Sequence, residues 1–319
     1  MDMQRIVVVF PGQGSQKQGM GRDIAETNRE AMELWRQAET AAKAPLRDIY
    51  WYGDESAMTQ TQYLQPAMFA MTMNLWRALA AKVGRAGLPA AIAGHSLGEL
   101  CALAAAEVLP LDVTLEIVAL RGRLMAEADP QGRGAMAAII RLNQTTVEEI
   151  VACAAANTGA LLVVANYNAP TQIVISGEAA AVAACGPLAK ERKGRSIPLD
   201  VNGAFHSPLM AEAATELARH LKRLLWATPT RPIYSNVTGT AATDPNRLRE
   251  LLTVQMTAPV QWVRTIQSLY TDGMRHFLEL SPKNIYSKLC AIILADTTDI
   301  TTHFIPTLIA LDALDTPTS

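Results

Sequence analysis

The chain is poor in cysteine, aromatic residues and charge, and each shortage excludes a class of protein. Its four cysteines (Cys101, Cys153, Cys185, Cys290) are spread over 319 residues with no CxxC and no Cys/His cluster, so the spacing encodes neither a disulfide framework nor a metal site. Four free thiols fit a reducing, cytoplasmic setting. Charged residues make up only 18% and the net charge is −2, which supplies no long-range attraction toward nucleic acid or an anionic membrane. The longest uncharged stretch, residues 150–177, carries Asn157, Asn166, Asn168, Pro170 and Gln172, and so is expected as buried strand and loop, not as a membrane span. The first residues run into only five apolar positions before Pro11, too few for a signal-peptide core. Internal repeats and low-complexity tracts are absent. What remains is 50% hydrophobic, a composition typical of compact globular enzymes.

The rhythm along the chain is that of an α/β fold with an insertion. Ile6 to Phe10 is the β-branched and aromatic run of a strand buried on both faces, followed by the loop Pro11-Gly12-Gln13-Gly14-Ser15-Gln16. Helices are predicted over 23–44, over 65–83 starting with Pro66 in its first turn, and over 112–128. Between residues 135 and 201 the order becomes strand (135–140), helix (145–155), strand (161–165), an Asn/Pro turn, strand (172–176), helix (179–193) and strand (196–201). That β-α-β-β-α-β order is the ferredoxin-like split βαβ. Further on, helices are expected over 210–225 and 260–272, with strands at 232–236 and, last, 276–279. The domains expected are therefore a catalytic core of 1–129 and 201–319 with a parallel sheet, and a small subdomain of 130–200. A cleft between them is the expected site.

Gly94-His95-Ser96-Leu97-Gly98 sits between an apolar run at 90–93 and a helix-forming run at 99–108. A serine on such a strand-to-helix turn is lifted toward the N-terminus of the next helix, where the helix dipole and the Leu97 amide favour negative charge. Serine needs a base, and the chain has five histidines. His95 abuts Ser96, but neighbours on a tight turn point apart, which suits a bracing role. His220 and His303 read as ordinary histidines, and His276 opens an apolar strand. His206, in the loop Gly203-Ala204-Phe205-His206-Ser207-Pro208, is placed to face the cleft and is the expected base. No acidic third member declares itself; Asp200 reads as a solvated charge, and a main-chain or side-chain carbonyl is left to orient the imidazole. The loop at Gln13 lacks a Walker lysine, and its Gln13 N–H can join Leu97 N–H as an oxyanion donor. Arg121 and Met125 lie one turn apart on the 112–128 helix.

Taken together these residues resemble the malonyl-CoA:acyl carrier protein transacylases of fatty acid synthesis and the acyltransferase domains of polyketide synthases. The likeness runs nearly end to end, through the Phe10-to-Gln16 loop, the Gly94-to-Glu99 elbow, Arg121 to Met125, Gly134 to Ala138, Asn166-Tyr167-Asn168, Ala204 to Ser207, Ser235 to Gly239, and Pro259 to Trp262. It implies an α/β-hydrolase-like core with a ferredoxin-like insert. It also implies Ser96 as nucleophile, His206 as base, Gln255 as the residue whose carbonyl orients His206, Gln13 and Leu97 as oxyanion hole, and Arg121 as clamp for a malonyl carboxylate. Met125, one turn from Arg121, and Phe205, next to His206, are the residues expected to border the acyl group. No cofactor or metal is implied; the partners are malonyl-CoA and an acyl carrier protein. Two features depart from the usual pattern: Ser281-Pro282-Lys283-Asn284 replaces a Gly-Pro-Gly turn, and Gly203 and Phe205 look more like discrete polyketide acyltransferases. A thioesterase built from the same Ser–His parts is the alternative enzyme, and a docking module without catalysis the alternative of another class. The cluster Lys190, Arg192, Lys193 and Arg195 is a candidate surface for an acidic carrier.

Overall fold

Every side chain of β1, Ile6–Phe10, is buried, as its sequence requires, with Val7 and Val9 on one face of a sheet and Ile6, Val8 and Phe10 on the other. A computed structural model describes residues 5–54, 56–85 and 87–314. Residues 1–4, weighed above against a signal peptide, and residues 315–319, at the end of the expected catalytic core, lie outside the described residues. From β1 the chain passes through α1 (Arg22–Thr27), α2 (Arg29–Ala42) and α3 (Thr61–Val83) to β2 (Ala91–Gly94), then through α4 (Leu97–Ala105) to α5 (Leu111–Glu127). The insert follows as β3 (Gly134–Ile140), α6 (Gln144–Thr158), β4 (Leu162–Ala169), β5 (Gln172–Glu178), α7 (Ala179–Glu191) and β6 (Arg195–Pro198). The chain returns through α8 (Ala211–Leu221), β7 (Ile233–Tyr234), β8 (Ala241–Ala242), α9 (Pro245–Gln255), α10 (Trp262–Thr271), β9 (His276–Leu280), α11 (Tyr286–Ile293), β10 (Thr301–Ile305) and α12 (Leu308–Asp312).

Two sheets result. The larger has the order β10-β9-β1-β2-β7-β8 and is parallel except for β8. The smaller, β4-β5-β3-β6, is antiparallel throughout and has the ferredoxin-like order. A bridge between Asn166 and Val260 ties the smaller sheet to the core segment just ahead of α10, with Tyr167 N–H donating to Val260 O at 2.9 Å and Val260 N–H to Ala165 O at 2.8 Å. The insert has its own apolar core around Ile139, Ile150, Ile173 and Ile175. Among the described residues no helix is long and apolar enough to cross a membrane.

Several local expectations are corrected. The helix expected over 23–44 is two, because Asn28 is extended and its side chain accepts from Ala31 N–H, capping α2. The next helix begins at Thr61, not beside Pro66, so Pro66 sits inside α3 and deprives one carbonyl of its helical donor. The strand expected to end at 165 continues to Ala169 through two register shifts, which leaves a turn of only Pro170 and Thr171. The strand expected to run to 201 ends at Pro198: Leu199 N–H still bonds Met136 O, and the chain then leaves the small sheet in a tight turn closed by Val201 N–H on Leu199 O. The strand at 276 is not the last: β10 extends the sheet beyond it.

The elbow explains its glycines. A Cβ on Gly94 would collide with the main chain of Gly98, and one on Gly98 with the main-chain oxygen of Phe10. β1 and the start of α4 are thus in backbone contact, and only glycine fits. Gly98→Ala is expected to cost about 2 kcal/mol or more, seen as a lowered Tm in thermal unfolding, with serine acylation lost even at temperatures where the variant is folded.

Candidate active site

Ser96 caps α4 with φ 51° and ψ −104°, a conformation that serine adopts only under constraint. The constraint is the close packing of Gly94 and Gly98 together with Asn236, whose Oδ1 accepts from Ser96 N–H at 2.6 Å and whose Nδ2 donates to Gly94 O at 2.6 Å. The strained turn holds Oγ clear of the sheet. His206 is the second residue with positive φ here, at 56°, and its Nε2 lies 2.8 Å from Ser96 Oγ. On the other side of the ring, Nδ1 lies 3.0 Å from the main-chain oxygen of Gln255 and 3.1 Å from that of Ala258. Carbonyls only accept, so Nδ1 carries the proton and Nε2 presents its lone pair to the serine.

Burial pushes the His206 pKa down to about 3, with the charges of Arg121 and His95 adding to the effect. The imidazole is therefore neutral and able to accept a proton across the physiological range. His95 is turned away from Ser96: its Nε2 pairs with Asn168 Oδ1 at 2.9 Å, and its ring packs against Trp262 and Tyr286. Tyr286 in turn accepts from Gly12 N–H at 3.0 Å, which anchors the loop that carries Gln13.

Arg121 is 1% exposed, yet it reaches Ser96: its Nη2 donates to Ser96 Oγ and to Gln255 Oε1, each at 3.0 Å, and its Nη1 to Gln65 Oε1 at 2.8 Å. Arg121 Nε is buried without a hydrogen-bond partner among the described residues. Burial lowers its pKa to about 10, against the attraction of Glu99, and it remains a cation. A cavity of about 300 Å³ opens over these groups, lined among others by Gln13, Ser96, Leu97, Arg121, Met125, Phe205 and His206. Gln255 stands behind the wall and holds His206 from there. All eight residues singled out in the sequence thus converge on one place. Asp200 is exposed, as expected, but stands at the cavity's edge. His220 pairs with Glu216 on the surface. Lys190, Arg192, Lys193 and Arg195 are exposed on the insert, a few residues before Leu199 and Val201, which line the cavity.

Sequence reasoning missed Gln65 and Asn236 as site residues. Gln65 carries no local signal, since its role is set by α3 packing on α5. Asn236 lies in a quoted motif, and its polarity beside a buried strand was the available clue. It also missed α9, although Asp244 followed by Pro245 is a helix start; this helix delivers Gln255.

The arrangement joins a serine on a strained elbow, a neutral imidazole, helix-start amides and a buried cation: parts suited to moving an acyl group that bears a carboxylate. Comparison with known proteins agrees. Residues 7–309 match the acyl transferase domain family. The chain is 35% identical over 311 residues to the malonyl CoA-acyl carrier protein transacylase of Haemophilus influenzae, covering 97% of this chain and 99% of that one. It is 36% identical over 289 residues to the enzyme of the same name from Bacillus subtilis, covering 90% of each. Among solved structures it superimposes with a TM-score of 0.90 on the malonyl-CoA:acyl carrier protein transacylase of Xanthomonas oryzae pv. oryzae, at 36% identity over 98% of this chain and 99% of that one. The TM-score is also 0.90, at 31% identity over 97% and 98% of the two chains, for a malonyl-transacylase in complex with a type II polyketide synthase acyl carrier protein. With its site geometry, its fold and its full-length likeness in agreement, the chain belongs to the acyl transferase domain family, among the malonyl-CoA:acyl carrier protein transacylases.

Proposed function

We propose that this chain transfers malonyl from malonyl-CoA to the phosphopantetheine thiol of an acyl carrier protein, through an acyl-enzyme on Ser96. The observation that carries the proposal is the 3.0 Å contact of buried Arg121 with Ser96 Oγ, beside the 2.8 Å contact of His206. A guanidinium at the nucleophile selects an acyl group that ends in a carboxylate. His206 Nε2 takes the Ser96 proton as Oγ attacks the thioester carbon. The Leu97 and Gln13 N–H groups receive the oxyanion, with Leu97 at the open start of α4. Collapse expels the coenzyme A thiolate, which takes the proton from His206. The carrier's thiol then gives its proton to His206 and attacks the malonyl ester, and Ser96 regains its proton as the thioester leaves. Each half-reaction balances without a cofactor or metal.

Met125 and Phe205 border the acyl group, and the Phe205 ring would crowd a branch on its α-carbon. The basic stretch from Lys190 to Arg195 is suited to an acidic carrier approaching from the insert, residues 130–200, toward the core of 1–129 and 201–319. We place the reaction in the cytoplasm, in keeping with four cysteines that stand as free thiols.

Ser96→Ala should form no covalent malonyl adduct by intact mass, and His206→Ala should acylate slower by roughly 10² to 10⁴. Adduct on the first variant, or full speed in the second, places the chemistry elsewhere. Because His206 is held neutral, the acylation rate should lack a fall near pH 6.5 on acidification; an acid limb centred there would show an ordinary, unburied imidazole.

Arg121→Ala should cut kcat/KM for malonyl-CoA by roughly 10² or more while acetyl transfer stays equal or improves. Equal losses for both would make Arg121 merely structural. Phe205→Ser should admit methylmalonyl-CoA, measured as adduct formed beside malonyl in competition; unchanged exclusion would relieve Phe205 of that role.

A further inference from the structure

Behind the nucleophile the structure buries one more charge than the reaction uses. Glu99 stands in the first turn of α4, three residues past Ser96, and is 2% exposed. Its carboxylate accepts from Gln255 Nε2 at 2.7 Å and from Asn236 N–H at 3.3 Å. Gln255 Nε2 gives its other proton to Ser96 O at 2.9 Å. With both donors so engaged, Gln255 Oε1 must face Arg121, where it accepts the 3.0 Å bond. One amide therefore links the acid to the guanidinium, and Glu99 and Arg121 attract each other across it.

We propose that Glu99 is a positioning residue for malonyl transfer, a buried counter-charge that turns Gln255 toward Arg121 and moderates the grip of Arg121 on the substrate carboxylate. The inference rests on Arg121 as the carboxylate's partner. In the empty site one anion faces one cation. When malonyl enters, two anions share that cation in a desolvated pocket, and their repulsion weakens binding. A transferase has to release the group it has loaded, so a grip that is too strong would stall the acyl-enzyme.

Burial raises the Glu99 pKa to about 6, opposed by its hydrogen bonds and by Arg121. A second anion raises it further, so malonyl binding draws a proton to Glu99. Among the described residues, Arg121 is the one charged side chain that acts on Glu99. α4 packs against α3, α5, β1, β2 and β7. Of these, α5 contributes cationic Arg121, and His95 after β2 is held neutral by burial at about 4, as His206 is at about 3. On α3, Arg77 is engaged with Glu30 and Lys82 with the α12 carbonyls, while Tyr234 of β7 turns to Asp272.

The test compares wild type with Glu99→Gln, which keeps an acceptor for Gln255 and removes the charge. Half-saturating concentrations for acyl-enzyme formation are measured with malonyl-CoA and with acetyl-CoA, followed by hand-over to free pantetheine. The malonyl-to-acetyl ratio of half-saturating concentrations should fall by about fivefold or more in the variant, and malonyl hand-over should slow more than acetyl hand-over. Equal shifts for both acyl groups, or a rise in the ratio, would overturn the proposal. Wild type alone supplies a second measurement should the variant fail to fold: from roughly pH 5 to pH 8 the same ratio should climb above about pH 6 as Glu99 ionises, and a flat ratio would overturn it. Failure of wild type to load malonyl at all would instead contradict the transferase reading, whereas loading with unmoved ratios would contradict only the role of Glu99.

Discussion

The site depends on the backbone contact between the elbow and β1. Because Gly94 and Gly98 have no Cβ, the chain reverses within five residues, and the start of α4 lies against Phe10 and Pro11. That contact forces Ser96 to φ 51°, and two features of the site follow from it. The hydroxyl stands free of the sheet with the start of α4 beneath it, and the Gln13 loop, which leaves β1 at Pro11, lines the same cavity. The strain at Ser96 is offset by Asn236, which bonds both the serine N–H and the Gly94 carbonyl.

Around that elbow the buried polar groups form one connected set, centred on Gln255. Its main chain sets the His206 tautomer, and its side chain bridges Ser96 O, Glu99 and Arg121. His206, Ser96 and Arg121 are thereby referenced to a single residue at the end of α9. A main-chain carbonyl in place of an acidic triad member has an electrostatic consequence: no anion sits at Nδ1 to raise the basicity of His206, and burial keeps it neutral. Among the described residues the one countercharge acting here, Glu99, is placed toward Arg121 and not toward the imidazole.

Much of this was legible in the sequence because the decisive constraints are local. The glycines flanking Ser96, the β-branched run of β1 and the β-α-β-β-α-β order of the insert each follow from short-range sterics or periodicity. His206 could be chosen among five histidines because it alone sits in a loop between the insert and the core. Gln255 could not be found that way, since its role is a carbonyl, which any residue possesses; only family resemblance pointed to it. Gln65 and Asn236 act through partners 56 and 140 positions away; no local pattern marks Gln65, and for Asn236 the clue was only a polar residue just after a buried strand. β10 went unseen because its first three residues, Thr301-Thr302-His303, are all polar, as befits a strand that pairs on one side only. The break at Asn28, by contrast, was written in an N-cap residue.

In the proposed function, Ser96 and Arg121 together choose and carry one kind of acyl group. The most direct measurement exposes the unmodified protein briefly to an equimolar mixture of malonyl-, methylmalonyl- and acetyl-CoA, then maps the adduct by peptide mass spectrometry. The expected result is a single malonyl ester on the peptide that bears Ser96, discharged when a pantetheine thiol is added. An acetyl adduct in excess, an adduct on another residue, or a malonyl ester that water clears as fast as the thiol does would contradict it.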